Sequence, residues 1–269
     1  MKLTLAQLDQ TAGDVGKNLN RAERTVADAA ERGADLVVLP ELFTVGYFAF
    51  ESYAREAEGL GGETFGRLSD LAADHGVGLL AGSHVEDLEA SAAAGYDVPD
   101  NDGLANTAVF FGRDGEMEAV YRKHHLFGYG SAESRLLTPG DSLETVSFEG
   151  FEIGTTTCYD LRFPELYRSL AEAGATLVLV PSAWPYPRVE HWQTLPRARA
   201  IENLCYVATV NGAAQFGETR LLGRSTVYDP WGTPLASAGD EPTLVESEVD
   251  PDRVAEVRDE FPAWADRRQ

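Results

Sequence analysis

The chain has 269 residues, is 43% hydrophobic, and carries a formal net charge of -22 from 22 Lys and Arg against 44 Asp and Glu. That balance argues against nucleic acid or an anionic membrane as a partner, since both need clustered cations, and no apolar run reaches the roughly 18 residues that span a bilayer. The two cysteines, Cys158 and Cys205, make no disulfide framework, and Met1-Lys2 leads straight into a strand-like pattern. No leader peptide is therefore expected, and a reducing cytoplasm is the simplest setting. The acidic residues are spread along the chain, and lysine is confined to Lys2, Lys17 and Lys123. Such a surface suits a high-salt cytoplasm, where ions screen self-repulsion; an acidic protein from a GC-rich genome would show the same composition. Where arginine supplies nearly every cation, a mid-chain lysine points to a place where guanidinium cannot replace ammonium. That residue is Lys123.

Lys2–Asp9 alternates as a strand. Asn18 is placed to cap a helix running to about Arg32, with Leu19, Ala22, Val26, Ala29 and Ala30 on one apolar face and Gly33 at its end. Residues 34–40, ADLVVLP, form a continuous apolar run suited to a strand buried on both faces. It delivers Glu41, and a carboxylate at the end of a buried strand is costly unless paired or functional; a partly exposed loop glutamate is the ordinary alternative. The aromatic stretch 43–60 (Phe43, Tyr47, Phe48, Phe50, Tyr53) either lines a pocket or covers a sheet edge. A helix over Glu63–His75 and a strand over Val77–Ser83 follow. Residues 86–103, acidic and Ala/Gly-rich, read as a solvated surface insertion. Leu104–Phe111 and Glu116–Tyr121 flank Gly112-Arg113-Asp114-Gly115 as a hairpin. Arg122-Lys123-His124-His125 leaves its second strand, and Gly128–Pro139 is a loop containing Glu133.

Leu143–Phe148 and Phe151–Thr157 are strands around the Glu149-Gly150 turn. Cys158 then falls between a strand end and a helix that starts at Pro164, a residue tolerated in a first helical turn. A sharp strand-to-helix turn can push a side chain into a cleft, and a helix N-terminus favours the thiolate. A free cysteine is just as often a small buried hydrophobe. The helix ends at Gly174, and residues 175–181, ATLVLVP, form a second buried-type strand. Ser182–Glu190 is a loop rich in Trp and Pro, followed by a helix over His191–Leu204, with Pro196 kinking it or lying in its first turn. Cys205–Asn211 is a strand with Cys205 in the core. Arg224–Asp229 and Thr233–Ser237 flank the turn Pro230-Trp231-Gly232. A last strand, Thr243–Val249, precedes a short helix, Pro251–Phe261, and a polar tail. GADLVVLP at Gly33–Pro40 echoes GATLVLVP at Gly174–Pro181, which suggests two related βαβ halves; convergence on a common helix–strand junction would look the same. Two sheets flanked by helices give an α/β fold, a four-layer α-β-β-α sandwich. No linker divides it, so a single domain over 1–269 is expected, with a C-terminal tail from about 251 to 269.

Glu41, Lys123 and Cys158 together supply a general base, a cation for a developing oxyanion, and a nucleophile. No Gly-rich phosphate loop and no CxxC or HExxH spacing is present. Adjacent His124 and His125 would point to opposite faces of a strand and would not converge on a metal.

The segments Leu39-Pro40-Glu41-Leu42-Phe43, Tyr121-Arg122-Lys123-His124-His125-Leu126-Phe127 and Cys158-Tyr159-Asp160-Leu161-Arg162-Phe163-Pro164-Glu165 resemble, in order, the three catalytic motifs of the nitrilase (carbon–nitrogen hydrolase) superfamily. The resemblance continues through Trp184-Pro185-Tyr186-Pro187-Arg188, His191-Trp192, residues 197–203, Asp229-Pro230-Trp231-Gly232 and Phe261-Pro262-Ala263-Trp264, and so covers nearly the whole chain. It implies a Glu41–Lys123–Cys158 triad, with Lys123 and the backbone N–H of Tyr159 holding the oxyanion. It also implies Glu133 as a second glutamate, for which a surface loop acid is the alternative. No metal or organic cofactor is implied. The Trp-Pro-x-Pro-Arg segment is similar to the ω-amidase branch, related to the Nit proteins, whose members deamidate small acids such as 2-oxoglutaramate. A substrate of that kind needs a cation for its remote carboxylate, and Arg162 and Arg188 are the candidates. Arg162 could instead pair with Asp160 or Glu165, and Trp184 reads as a pocket wall.

The insertion at 86–103 and the short loop Gly128–Glu133 depart from that branch and leave other small amides open, among them deaminated glutathione and N-carbamoyl compounds. From a different class, a catalytically silent scaffold on the same fold is the remaining reading. The resemblance also implies a homodimer or larger assembly, with Phe261-Pro262-Ala263-Trp264 either a partner contact or folded back on its own subunit.

Overall fold

The two runs ending in Pro40 and Pro181 become the centres of two sheets. The computed structural model describes residues 1–129, 131–264 and 266. The first half runs β1 (Lys2–Gln7), α1 (Val15–Glu31), β2 (Leu36–Val38), α2 (Tyr53–Glu56), α3 (Glu63–His75), β3 (Gly78–Asp87), α4 (Leu88–Ala93), β4 (Leu104–Phe111), β5 (Met117–Arg122) and α5 (Glu133–Leu136). The second runs β6 (Thr145–Phe148), β7 (Phe151–Thr155), α6 (Pro164–Glu172), β8 (Leu177–Ser182), α7 (Val189–Asn203), β9 (Tyr206–Asn211), β10 (Gln215–Phe216), β11 (Thr219–Arg220), β12 (Thr226–Tyr228) and β13 (Pro234–Ser237). β14 (Thr243–Glu248) returns to the first sheet, and α8 (Asp252–Glu260) follows it. Position 130 of the loop after Lys123, and positions 265 and 267–269 of the tail, lie outside the described residues.

Strand order is β14-β1-β2-β3-β4-β5 in one sheet and β13-β12-β9-β8-β7-β6 in the other. In each, three parallel strands (β1, β2, β3; β7, β8, β9) are extended by an antiparallel pair on one side and a single antiparallel strand on the other. The octapeptide echo therefore falls on topologically equivalent strands, β2 and β8. The connections between the parallel strands place helices outside each parallel core.

Alternation along the central strands builds the layers. Leu36 and Val38 of β2 join Leu177 and Leu179 of β8 in the core between the sheets. Val37 faces the other way, toward Leu19, Val26, Phe65 and Leu68 of α1 and α3. Val178 and Val180 face Leu166, Leu170, Trp192 and Ala200 of α6 and α7. Because both faces of these strands are buried, their residues up to Val38 and Pro181 are apolar, which is why they read as continuous apolar runs.

Several expectations are corrected. Asp14, not Asn18, caps α1, accepting from the Lys17 N–H at 3.0 Å. Asn18 lies inside the helix, buried, where its amide donates to the carbonyls of Thr11 and Thr44, both at 2.7 Å. Residues 86–103 are only partly a solvated insertion. β3 continues to Asp87, and Glu86 is fully buried against Arg122 (2.7 and 2.8 Å) and the Thr107 hydroxyl (2.6 Å). Asp87 then caps α4, and Ser91 accepts from the Leu60 N–H at 2.9 Å. The acidic composition hid these residues because their charges are paired inside. Pro196 sits within α7 rather than in its first turn, and the helix begins two residues earlier than expected. Trp264 folds back on its own subunit, its ring lying 4.8 Å from the Arg168 guanidinium and 5.5 Å from that of Arg258. Phe261 stays half exposed beside Trp231.

Candidate active site

Each site residue leaves the end of a strand. Glu41 lies three residues beyond β2, Lys123 directly beyond β5, Cys158 three residues beyond β7, and Ala183 directly beyond β8. The carboxyl ends of parallel strands are where α/β sheets open a crevice, and here two such crevices meet. The turns that carry the side chains are tight. Leu42, after Glu41, has φ of 44° and Cys158 has φ of 48°, left-handed conformations that L-residues rarely adopt and that cost on the order of 1–3 kcal/mol. The Leu42 N–H is held by Ser83 Oγ at 2.8 Å. The Cys158 turn is held by Asp160, which accepts from the Thr157 N–H (2.9 Å), the Tyr121 hydroxyl (2.6 Å) and the His125 N–H (2.9 Å). Asp160 thus ties the strand bearing Lys123 to the turn bearing Cys158.

Lys123 is fully buried, and its ammonium donates to Glu41 Oε1 at 2.8 Å and to Glu133 Oε1 and Oε2 at 2.8 and 3.1 Å. Glu41 Oε2 accepts from the Ala183 backbone N–H at 2.8 Å, a bond from one sheet to the other. Glu133 also accepts from the Tyr47 hydroxyl (2.9 Å) and the Phe127 N–H (2.8 Å). Both glutamates are fully buried, so the exposed-loop alternatives for Glu41 and Glu133 are overturned. Cys158 and Glu41 are neighbours close enough for each to shift the other's ionisation.

Electrostatics follow from this packing. Burial raises the Glu41 carboxyl above its usual range, with Lys123 opposing and Glu133 adding to the rise. Burial alone would lower the Lys123 ammonium; the adjacent carboxylates of Glu133 and Glu41 reverse that and raise it well above its usual value. Burial, then the charge of Glu41, raises the Cys158 thiol well above its ordinary value. This corrects the expectation of a thiolate favoured by a helix N-terminus: the following element is a single 3-10 turn, and desolvation beside a carboxylate outweighs it. The resting group is a thiol with a proton acceptor beside it. Cys205, in the core, is likewise pushed up, to about 12, by burial.

Cys158 and Lys123 form the floor of a cavity of about 350 Å³ whose walls include Tyr47, Phe48, Phe127, Tyr159, Trp184 and Tyr186. The Tyr159 N–H belongs to the first turn after Cys158, where backbone donors have no partner earlier in the helix. Arg162 and Arg188 both line the cavity. Arg162 lies over the Trp184 ring at 5.1 Å and contacts His191 Nδ1 at 3.2 Å, and Arg188 lies over the Phe127 ring at 5.7 Å. Among the described residues neither makes an ion pair, so Arg162 is not the partner of Asp160 or Glu165. Trp184 forms a buried wall, held by its N–H to Asn211 (2.7 Å). Among the described residues no group of three His, Cys, Asp or Glu could hold a metal, and no helix is long and apolar enough to cross a membrane.

Asn106 and the Ala183 N–H were not singled out from sequence, whereas Tyr47 and Phe48 of the aromatic stretch do line the cavity. Asn106 of β4 donates to Glu41 Oε1 at 2.9 Å and Glu133 Oε1 at 3.3 Å. The signal was available: an amide inside the otherwise apolar strand Leu104–Phe111 must find buried partners.

The model of the family "Carbon-nitrogen hydrolase" matches residues 2–259. The 2-oxoglutaramate amidase of Paenarthrobacter nicotinovorans is 38% identical over 239 residues, covering 87% of this chain and 79% of that protein. Omega-amidase NIT2 of Homo sapiens is 35% identical over 277 residues, covering 99% and 95%. Among solved structures, a cysteine-to-alanine mutant of the Nesterenkonia AN1 amidase, from the nitrilase superfamily, is 31% identical with a TM-score of 0.82, covering 98% and 97%; a glutamate-to-glutamine mutant of that amidase shows Michael addition of acrylamide at the active site cysteine. A match over this span, on a fold that brings the three motif residues together, means that the chain belongs to the carbon–nitrogen hydrolase family of the nitrilase superfamily and is a hydrolase of amide carbon–nitrogen bonds.

Proposed function

We propose that this enzyme is a thiol amidase of the ω-amidase type, releasing ammonia from the terminal amide of a small dicarboxylic acid such as 2-oxoglutaramate. The observation that carries the reading is one cavity lined by Cys158 and Lys123 together with two arginines that make no ion pair among the described residues. Cys158 Sγ attacks the amide carbonyl while its proton passes to Glu41. Lys123 and the Tyr159 N–H hold the tetrahedral oxyanion. The C–N bond breaks as Glu41 returns the proton to nitrogen, leaving ammonia and a thioester. Glu41 then takes a proton from water, which attacks the thioester; the acid leaves and Cys158 is again a thiol. A carboxyl raised by burial suits this double duty, since a weak base would not take the proton of a buried thiol. Glu133 and Tyr47 hold Lys123 in place. Arg162 or Arg188 binds the remote carboxylate in the apolar, aromatic cavity.

The two halves act as one domain, because Glu41 and Lys123 come from one sheet and Cys158 from the other. The dispersed acidic surface fits a protein of a high-salt cytoplasm. Exposed Ile201, Trp231 and Phe261 fit a face covered in a homodimer or larger assembly, which sedimentation in high salt decides.

The test is ammonia release from 2-oxoglutaramate, succinamate, deaminated glutathione and an N-carbamoyl amino acid, with Cys158→Ala as control. Turnover confined to the first two, and abolished in a folded C158A, is expected. Preference for either of the last two, or undiminished turnover in C158A, would overturn the reading.

A further inference from the structure

The side chain of Asn106 is fully buried, and its Oδ1 has no hydrogen-bond partner. A buried carbonyl left unsatisfied keeps its full desolvation cost, so a structural amide would be expected to turn or to find a partner. It does neither because its Nδ2 is committed: one N–H to Glu41 Oε1 at 2.9 Å, the other to Glu133 Oε1 at 3.3 Å. Rotating the amide by half a turn would place Oδ1 against two carboxylates. The strand is registered to the site as well, since the Asn106 carbonyl accepts the Lys123 backbone N–H at 2.9 Å.

We propose that Asn106 is a positioning residue that fixes which oxygen of Glu41 takes the thiol proton. Glu41 Oε1 already accepts from Asn106 and from the Lys123 ammonium at 2.8 Å. Oε2 accepts one backbone N–H, from Ala183, and keeps a lone pair. With Oε1 occupied by two donors, the proton leaving Cys158 is directed to Oε2. The same donor also favours the ionised form of Glu41, the form that can act as a base. This rests on Glu41 serving as the base for Cys158. The groups facing Glu41 are Lys123, Glu133 and Cys158, with Tyr47 behind them, and of the two side chains that donate to Oε1, Lys123 and Asn106, Asn106 is the uncharged one.

The test uses Asn106→Leu and Asn106→Asp in the full chain and needs no substrate. The rate of Cys158 alkylation by iodoacetamide is followed from pH 5 to 9 by peptide mass, which separates Cys158 from Cys205. In N106L, loss of a hydrogen bond to a charged acceptor moves the acidic limb of the rate profile up by about one pH unit and lowers the rate at pH 7 about tenfold. N106D, nearly isosteric, places a third carboxylate at the site and moves the limb further. A limb unmoved in N106L, with activity lost evenly at every pH, would mean a purely structural role and overturn the proposal. If N106D does not fold, N106L decides alone, with its fold checked by circular dichroism. Ammonia release on the same samples separates the two readings: a shifted alkylation limb in a protein inactive on all four amides keeps the positioning role and retires the substrate assignment.

Discussion

Replacing Lys123 by Met removes the cation that pairs with both Glu41 and Glu133. Lys123 makes contacts of 2.8, 2.8 and 3.1 Å to them and has no exposed side-chain surface. Breaking a buried ion pair from one side costs about 3–5 kcal/mol because the remaining charge stays uncompensated. Against a total stability of about 5–15 kcal/mol that loss is large, and it lowers the melting temperature by on the order of 10 °C. The loss depends on pH. Without the ammonium, the Glu41 carboxyl, already raised by burial, rises further. A carboxyl whose folded pKa lies above its unfolded value binds more protons in the folded state, so its stabilisation is present at low pH and lost as pH rises through the folded value. The parent's Lys123 is raised well above its usual value, so its contribution is complete below about pH 10 and fades only above. The difference between K123M and parent is therefore greatest near pH 7–8 and shrinks toward pH 5. The assay is urea unfolding of both proteins at pH 5, 6, 7 and 8 in one salt concentration, with fluorescence of the four tryptophans as the signal. A deficit below about 1 kcal/mol at pH 7, or one that does not change with pH, would refute the reasoning.

Two further predictions follow from charge. Arg162→Met and Arg188→Met separate the carboxylate clamp. The clamping residue's variant raises KM for 2-oxoglutaramate about tenfold or more with kcat little changed, since a charge-assisted hydrogen bond is worth about 1.5–3 kcal/mol, whereas an uncharged amide of similar size is unaffected; steady-state kinetics on both substrates would show neither variant doing this if the cavity does not bind a carboxylate. With a net charge of -22, the fold is held against its own repulsion. Because the Debye length falls from about 10 Å at 0.1 M to about 3 Å at 1 M salt, the melting temperature rises in KCl between those concentrations, and a flat calorimetric profile would remove the high-salt reading.

Much of the fold was legible because its signals are local. The apolar runs before Pro40 and Pro181 suit strands buried on two faces, and their echo falls on strands that occupy equivalent places in two sheets. Acidic composition misled at Glu86, where the charge is spent inside on Arg122. The helix cap was misplaced because Asn18 and Asp14 are both good capping residues and only the backbone geometry chooses between them.

The sequence by itself determined the chemical inventory. A glutamate at a strand end, a lysine kept where arginine otherwise supplies the cations, and a cysteine at a strand–helix junction are local facts of the chain. Tertiary structure alone decided their state. Only the meeting of two sheets sets the Ala183 N–H on Glu41, and only the convergence of the ends of β2 and β5 with β4 and α5 sets both glutamates on one ammonium and brings Asn106 to both carboxylates. The same burial turns the expected thiolate into a thiol with a proton acceptor beside it, because desolvation and a neighbouring carboxylate act across space and leave no trace in residue order.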